Sequence, residues 1–502
     1  MKICFFLQRR FAYIGHAMAC QIKEISPESE FCALVQSRTS LEFIKNQKDI
    51  EYTSIISGED IYRSLYDVEL DQEFLNKFEK EYGLPNLWPY LYIDRVTMHG
   101  QFIREYPYDH PTLSHEDMQR CIQVNAKAII AFLEKEKPHA IVVSVIGTVA
   151  SALLYHIARK MGIQTINIEF ARIGPRIIFS EDDNTFTWVK ERFAEIRAGS
   201  SSSENGAAKK FIEDFRGHPV PYDAEFMQEA YGPKGRISEL RFLSPKKLMK
   251  SVPWHLKTLL ADIHKKKNRD YIDNFIWWAL WDKLLRKMRS IRGFGDLYSK
   301  PDMQTKFAYY PLHTDPEVAT MRYAPYHTNQ QEIIRAIAHA LPINMKLYIK
   351  EHPSMFGYRP RRYYEEILKI PNVCLISPNV PSGELSRNAA ITLTITSTAG
   401  WESLLQKKPV VTFGNTFYND IPGVKFCRSF DELPYIIKEQ LEKWKSDDAL
   451  LIDYASALLE DSVDVDFSQM WNEATPFEVV VKDGGMRDLS RVLLEKVRSR
   501  KK

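Results

Sequence analysis

Two short segments in the second half of the sequence combine residue types that can hold a phosphate group. The first is Lys350-Glu351-His352-Pro353, which follows the apolar run Lys346–Ile349. An imidazole leaving a strand end can donate a hydrogen bond, or a charge, to a phosphate and so stabilise a leaving nucleotide. Pro353 stops the strand and fixes the backbone just past the histidine. The second is Thr396-Ser397-Thr398-Ala399-Gly400-Trp401-Glu402, which follows Ile391–Ile395. Its hydroxyls stand where a helix would begin, and free backbone N–H groups and the helix dipole attract anions there. Gly400 permits close approach of a ligand or of another backbone, and Glu402 is placed to accept from ribose hydroxyls. Both segments also have a plain structural reading, a histidine capping a turn and a serine or threonine capping a helix.

These segments need strands to carry them. Strands are expected at Lys2–Leu7, Phe31–Val35, Ala140–Val145 and Gln164–Ile168, and again at Phe307–Tyr310, Lys346–Ile349, Val373–Ile376, Ile391–Ile395 and Val410–Phe413. Helical periodicity lies between them, from about residue 115 to 135, 148 to 161, 329 to 340, 361 to 369, 382 to 388 and 399 to 406. Alternation of this kind predicts βαβ units and parallel sheets, with ligands at the carboxyl ends of the strands. Two further loops, Tyr310 to Glu317 (which includes His313) and Phe413 to Tyr418, leave strand ends on the same side. The pattern is α/β, with two Rossmann-like lobes facing a cleft. Glycosyltransferases of the GT-B fold, periplasmic binding proteins and some epimerases share that design. The boundaries expected are 1–215 for an acceptor lobe, 216–302 for a basic helical insertion, 303–480 for a nucleotide-sugar lobe and 481–502 for a final helix returning to the first lobe.

The whole chain sets outer limits. Its 502 residues suit two or three domains, and 44% hydrophobic with 26% charged residues is ordinary for a globular protein. A net charge of +3 does not point to nucleic acid, and no P-loop or GxGxxG is present. The 6 cysteines are scattered without a zinc-type spacing, so no metal centre is expected and buried thiols in a reducing compartment are. The apolar start ends at Gln8-Arg9-Arg10, too soon for a signal peptide, and no run is long enough to span a bilayer. Residues 241–300 hold fifteen Lys/Arg against five Asp, with Trp254, Trp277, Trp278 and Trp281 interleaved. Trp277, Trp281, Leu284 and Met288 share a helical face. This segment suits an anionic membrane surface, an acidic glycan or a plain solvated face.

Taken in order, Tyr310-Pro311-Leu312-His313-Thr314-Asp315-Pro316-Glu317, Tyr348-Ile349-Lys350-Glu351-His352-Pro353 with Gly357, Pro371-Asn372-Val373, Thr396 to Glu402, Lys408-Pro409-Val410 and Phe413-Gly414 resemble the capsule polysaccharide biosynthesis proteins. That family includes bacterial transferases of 3-deoxy-manno-octulosonic acid (Kdo) from CMP-Kdo. The likeness is good from about Lys306 to Gly423 and holds only in outline before that. It implies a GT-B fold, a cytidine-nucleotide sugar donor, and a CMP phosphate bound by His352, Pro353, Ser397 and Thr398. Lys350, His313, Gly400 and Glu402 complete the expected donor site.

An acceptor hydroxyl must lose its proton, and Glu169 after a strand or Asp182 in the following loop are the candidate bases, with Asp183 beside it. Arg172 and Arg176 are candidates to meet an acidic sugar, and Gly15-His16 to line the acceptor side. The function expected is an inverting, metal-independent glycosyltransferase of bacterial surface polysaccharide. It would be cytoplasmic, without a cofactor, and would act on a glycan or glycolipid acceptor. Polyol-phosphate transfer from CDP-glycerol, sugar-nucleotide epimerisation and a non-catalytic export or assembly role are the alternatives.

Overall fold

A parallel strand covered on both faces needs apolar side chains at successive positions, and the runs identified above satisfy this. The computed structural model describes residues 1–100, 113–220, 276–465, 470–472 and 475–499, with single positions 111 and 253. The early strands are β1 (Lys2–Leu7), β2 (Glu30–Val35), β3 (Tyr52–Ser57), β4 (Ala140–Val143), β5 (Gln164–Phe170) and β6 (Arg176–Ser180). Then come β7 (Phe307–Pro311), β8 (Lys346–Lys350), β9 (Val373–Ile376), β10 (Ile391–Thr394), β11 (Val410–Thr412), β12 (Lys425–Phe426) and β13 (Ser462–Asp464).

Among the described residues they form two sheets, ordered β13-β6-β5-β4-β1-β2-β3 and β12-β11-β10-β7-β8-β9. The first is parallel from β5 to β3 and antiparallel at the β13-β6-β5 edge. The second is parallel throughout. Each sheet reverses its winding beside its first strand, between β1 and β4 and between β7 and β10. Those reversals are where open α/β sheets leave a crevice for a ligand.

Helices cover both faces of each sheet. Phe11–Ile25 follows β1 and buries Ile14, Met18 and Ile22 against it. The final helix, Gly484–Ser499, lays Met486, Leu489, Leu493 and Val497 into the same core. The chain rejoins the first sheet earlier than the expected boundary at 480, because β13 pairs with β6 at residues 462–464.

The lobes meet through carboxyl-end loops. A Cβ on Gly147, just past β4, would come within 2.9 Å of Val318, which follows β7. Arg322 forms an ion pair with Asp183, both largely buried. Lys190 pairs with Asp420 at 2.8 Å, and Trp401 Nε1 donates to the Arg172 carbonyl at 3.3 Å. An apolar cluster joining Val189, Phe193, Ile212 and Phe215 to Trp401, Phe417, Tyr454 and Leu458 backs these contacts. The two reversals therefore face each other, as in a GT-B-like arrangement.

Most of the basic aromatic segment lies outside the described residues, Trp254 included. The part described is the helix Ile276–Arg292. It turns Trp281, Leu284, Met288 and Ile291 outward, while Arg286 lies 4.5 Å from the Tyr358 ring and Arg289 donates to the Tyr358 carbonyl. No helix among the described residues is long and apolar enough to cross a membrane.

Candidate functional site

Three strand ends converge at the reversal of the second sheet. β7 lies between β8 and β10, so His313-Thr314 stands between His352 on one side and Thr396-Ser397 on the other. Hydrogen bonds join all three. Thr314 Oγ1 lies 3.3 Å from His352 Nδ1 and 3.1 Å from Ser354 Oγ. His313 Nε2 accepts from the Thr396 N–H at 3.0 Å and lies 3.3 Å from Thr394 Oγ1.

His352 is half-buried and caps the short turn Pro353–Met355. Its Nδ1 accepts from the Ser354 N–H at 3.3 Å and lies 2.7 Å from Ser354 Oγ. Accepting at Nδ1 puts the ring proton on Nε2, which is the tautomer that can donate to an anion. Pro353, exposed, supplies the fixed bend at the first position of the turn.

Ser397 caps the helix Thr398–Leu405, with its Oγ accepting from the Ala399 N–H at 3.1 Å. Ser397 and Thr398 are both half-exposed at the helix start. Its backbone is pinned from both sides. Ser397 N–H donates to Thr394 Oγ1 at 3.1 Å, and Tyr418 Oη donates to the Ser397 carbonyl at 2.6 Å.

Four expected donor contacts change character. His313 is 5% exposed, and burial, helped by the neighbouring His352 and Arg359, pulls its pKa down to about 3. A neutral imidazole accepting a backbone N–H positions the Thr396-Ser397 loop instead of touching a ligand. Gly400 is required by Tyr418, whose hydroxyl leaves no room for a Cβ there. Glu402 is 6% exposed, and its charge acts on the buried Tyr309, Lys350 and Tyr418, so it is an interior carboxylate in this structure. Lys350 is 7% exposed on that same face, and burial lowers its pKa to about 8, with Glu402 opposing.

Sequence reasoning missed the group that holds the loops in place. Arg359 is fully buried. It pairs with Glu351, donates to the His313 carbonyl at 2.5 Å and reaches Asp315 at 3.1 Å. Glu351 also accepts from Tyr364 Oη and, at 2.7 Å, from the His352 N–H. Asp315 accepts from Gln330 and, at 3.1 Å, from Thr320 Oγ1. One guanidinium thus ties the end of β7 to the end of β8. Nothing near Arg359 in the sequence announces this role.

On the facing lobe, Glu169 near the end of β5 is half-buried. Burial raises its pKa to about 8; the Arg172 charge opposes the shift and the Asp183 charge adds to it. Tyr323 of the other lobe feels both carboxylates. Asp182 is already engaged, accepting from Tyr155 Oη and Arg159, each at 3.0 Å, and Asp183 is paired with Arg322. Arg172 sits beside Glu169 in a left-handed conformation (φ 59°) with its guanidinium 5.3 Å from the Phe170 ring.

Three acceptor-side expectations are corrected. Arg176 donates to Ser462 Oγ and to the Ser462 carbonyl, each at 2.7 Å, and so fastens β13 to β6. His16 is 0% exposed inside the helix Phe11–Ile25 and does not line an acceptor site. A Cβ on Gly15 would meet Leu7 at 2.6 Å, so this glycine serves packing. The residues that do stand at the first-sheet reversal are Gln8, whose Nε2 donates to the Val145 carbonyl at 3.2 Å, and the exposed Arg9. A surface hollow lined by Ser64, Asp71, Gln123 and Lys127 lies elsewhere on this lobe, and its Asp71 and Lys127 pair with each other at 2.7 Å.

Fold and site together define an α/β protein of two Rossmann-like lobes, in which imidazole, hydroxyl and helix N–H groups gather at the reversal of the second sheet. Residues 302–443 match the family described as capsule polysaccharide biosynthesis protein, a span that contains every one of those groups. Capsule polysaccharide export protein KpsS of Escherichia coli is 27% identical over 156 residues, 30% of this chain and 39% of that protein. Protein FixF of Sinorhizobium fredii is 29% identical over 128 residues, 24% of this chain and 30% of that protein. The chain thus spans well under half the length of either relative. Among solved structures, the KpsC beta Kdo 2,4 transferase of Thermosulfurimonas dismutans is similar with a TM-score of 0.35 and 15% identity, covering 64% of this chain and 80% of that one.

Proposed function

We propose that the chain is a glycosyltransferase of bacterial surface polysaccharide assembly that takes a CMP-activated, Kdo-like sugar at the reversal of its second sheet. The observation that carries this reading is the coincidence of two independent features. The segment similar to capsule polysaccharide proteins is the one whose strand ends join Thr314 to His352 and His313 to Thr396, next to Ser397. In this reading His352 Nε2–H, the Ser397 and Thr398 hydroxyls and the start of the helix Thr398–Leu405 take the donor phosphate. They stabilise the charge that grows on it as the glycosidic bond breaks. A nucleophilic acceptor hydroxyl then attacks from the opposite face, with inversion and without a metal at the phosphate.

Glu169 is the acceptor base. A base must be ionised to accept the proton, and burial holds this carboxyl protonated up to about pH 8. The kcat/KM of transfer is therefore expected to rise with pH and level off above about 8. Glu169→Gln should abolish transfer and leave CMP binding intact. An unchanged profile in that variant would remove Glu169 from the mechanism.

Thermal-shift screening with CMP, CDP, UDP and GDP tests the donor. A ligand at ~100 times its Kd adds ~2.7 kcal/mol to the folded state, so CMP should raise the melting temperature most. A preference for CDP would favour polyol-phosphate transfer, and a preference for UDP would favour epimerisation. The relative named as an export protein raises a non-catalytic alternative. It predicts CMP-independent complementation of a capsule-deficient strain by His352→Ala.

A further inference from the structure

On the N-terminal lobe, away from the donor site, three side chains of metal-ligating type meet without any role in transfer. His16 and Cys20 are one turn apart on the helix Phe11–Ile25, and Asp49 comes from the segment that leads into β3. Cys20 Sγ lies 3.7 Å from His16 Nε2, and Asp49 Oδ2 lies 4.0 Å from the same nitrogen. All three ligand atoms fall within 4.8 Å of one another. In a tetrahedral zinc site, Zn–S of ~2.3 Å and Zn–N of ~2.0–2.1 Å put sulfur and nitrogen ~3.6 Å apart. The His16–Cys20 pair is already near that separation, and rotation of the exposed Asp49 side chain can bring its carboxylate the rest of the way.

The surroundings support a cation. His16 Nδ1 lies 3.0 Å from Tyr52 Oη. With Nδ1–H donating to that oxygen, Nε2 turns its lone pair toward Cys20 and Asp49, the outer-shell arrangement that orients metal-bound histidines. Phe43 and Phe477 pack around the ring and keep it from other polar partners. Glu24, one further turn along the helix, adds a second carboxylate whose charge acts on Cys20. A divalent cation bound here would displace the thiol proton and give the neighbouring carboxylates a counter-charge.

We infer that His16 Nε2, Cys20 Sγ and Asp49 Oδ2 form a zinc site, with water in the fourth position on the open Asp49 side. The mixed sulfur, imidazole and carboxylate set suits Zn²⁺ better than Mg²⁺ or Ca²⁺, which take oxygen. The ion would clamp the helix Phe11–Ile25 to the edge strand β3. It is independent of the donor site proposed above.

Cobalt titration of the full chain, stripped with chelator under reducing conditions, tests this. The expected result is one Co²⁺ per chain with a thiolate-to-cobalt charge-transfer band that Zn²⁺ abolishes. Cys20→Ser should lose the band. Asp49→Asn alters an exposed side chain, so it stays folded and should bind Co²⁺ at least about tenfold more weakly. Absence of a saturable band in the wild-type chain would overturn the site. So would a band that survives in Cys20→Ser, or unchanged affinity in Asp49→Asn, which decides the matter if Cys20→Ser fails to fold.

Discussion

Replacing His352 by alanine is expected to lower sugar transfer by about 10²–10³-fold while the fold is retained. The ring is half-buried at a loop, so its removal leaves no large cavity. Ser354 Oγ and Thr314 Oγ1, which hold Nδ1 at 2.7 and 3.3 Å, retain each other at 3.1 Å. In the proposed reading, what is lost is the Nε2–H donor to charge developing on the leaving phosphate. Turnover should therefore fall far more than donor affinity, because such a donor acts mainly in the transition state. The Ser397→Ala, Thr398→Ala double variant should lose transfer less steeply, since backbone N–H groups at the helix start remain. Steady-state kinetics with a CMP-sugar reads both, and a loss below tenfold for His352→Ala would remove the histidine from the chemistry.

Arg359→Met is expected to destabilise the C-terminal lobe by about 3–5 kcal/mol. Methionine keeps much of the length and apolar stem but not the charge. The Glu351 carboxylate, 2% exposed, and Asp315 would then remain in the interior without their cation. Burial already raises the Asp315 pKa against the pull of Arg359, so this carboxyl would bind a proton more readily still in the variant. Urea unfolding followed by tryptophan fluorescence measures the effect; Trp401 and Trp444 lie in or beside this lobe. The loops bearing His313 and His352 should loosen in parallel, and CMP affinity should fall. A loss under about 1 kcal/mol would mean that the buried ion pairs are replaceable and that the loops hold their shape without them.

Strands whose two faces are both covered were legible because every position demands an apolar side chain. β1, β8 and β10 begin where the apolar runs do and end within one residue of them. β3 escaped notice because Tyr-Thr-Ser-Ile-Ile-Ser mixes polar and apolar residues at a half-buried edge. The helix Phe11–Ile25 has no capping side chain at Arg10, so its start carried no local signal. His16, expected to line the acceptor side, instead lies buried in the second turn of that helix.

At the candidate site, the identity of the strand-end loops was visible but the direction of their side chains was not. Glu402 and Gly400 are on the right helix. Which face of that helix meets Lys350 and Tyr418 is decided by the sheet beneath it. His313 is expected beside His352 as a donor contact, yet only the β7–β10 adjacency reveals that it accepts the Thr396 N–H. The Arg359 network and the His16–Cys20–Asp49 meeting join distant segments, and no spacing rule reaches across 33 residues from His16 to Asp49.

The most direct test is calorimetric titration of CMP and of cytidine into the wild-type chain and into His352→Ala. If the phosphate rests between His352 and the start of Thr398–Leu405, the wild-type chain should bind CMP much more tightly than cytidine. His352→Ala should narrow that gap while leaving cytidine affinity unchanged. Equal affinity for CMP and cytidine in the wild-type chain, or a gap that His352→Ala does not alter, would contradict the placement of the phosphate.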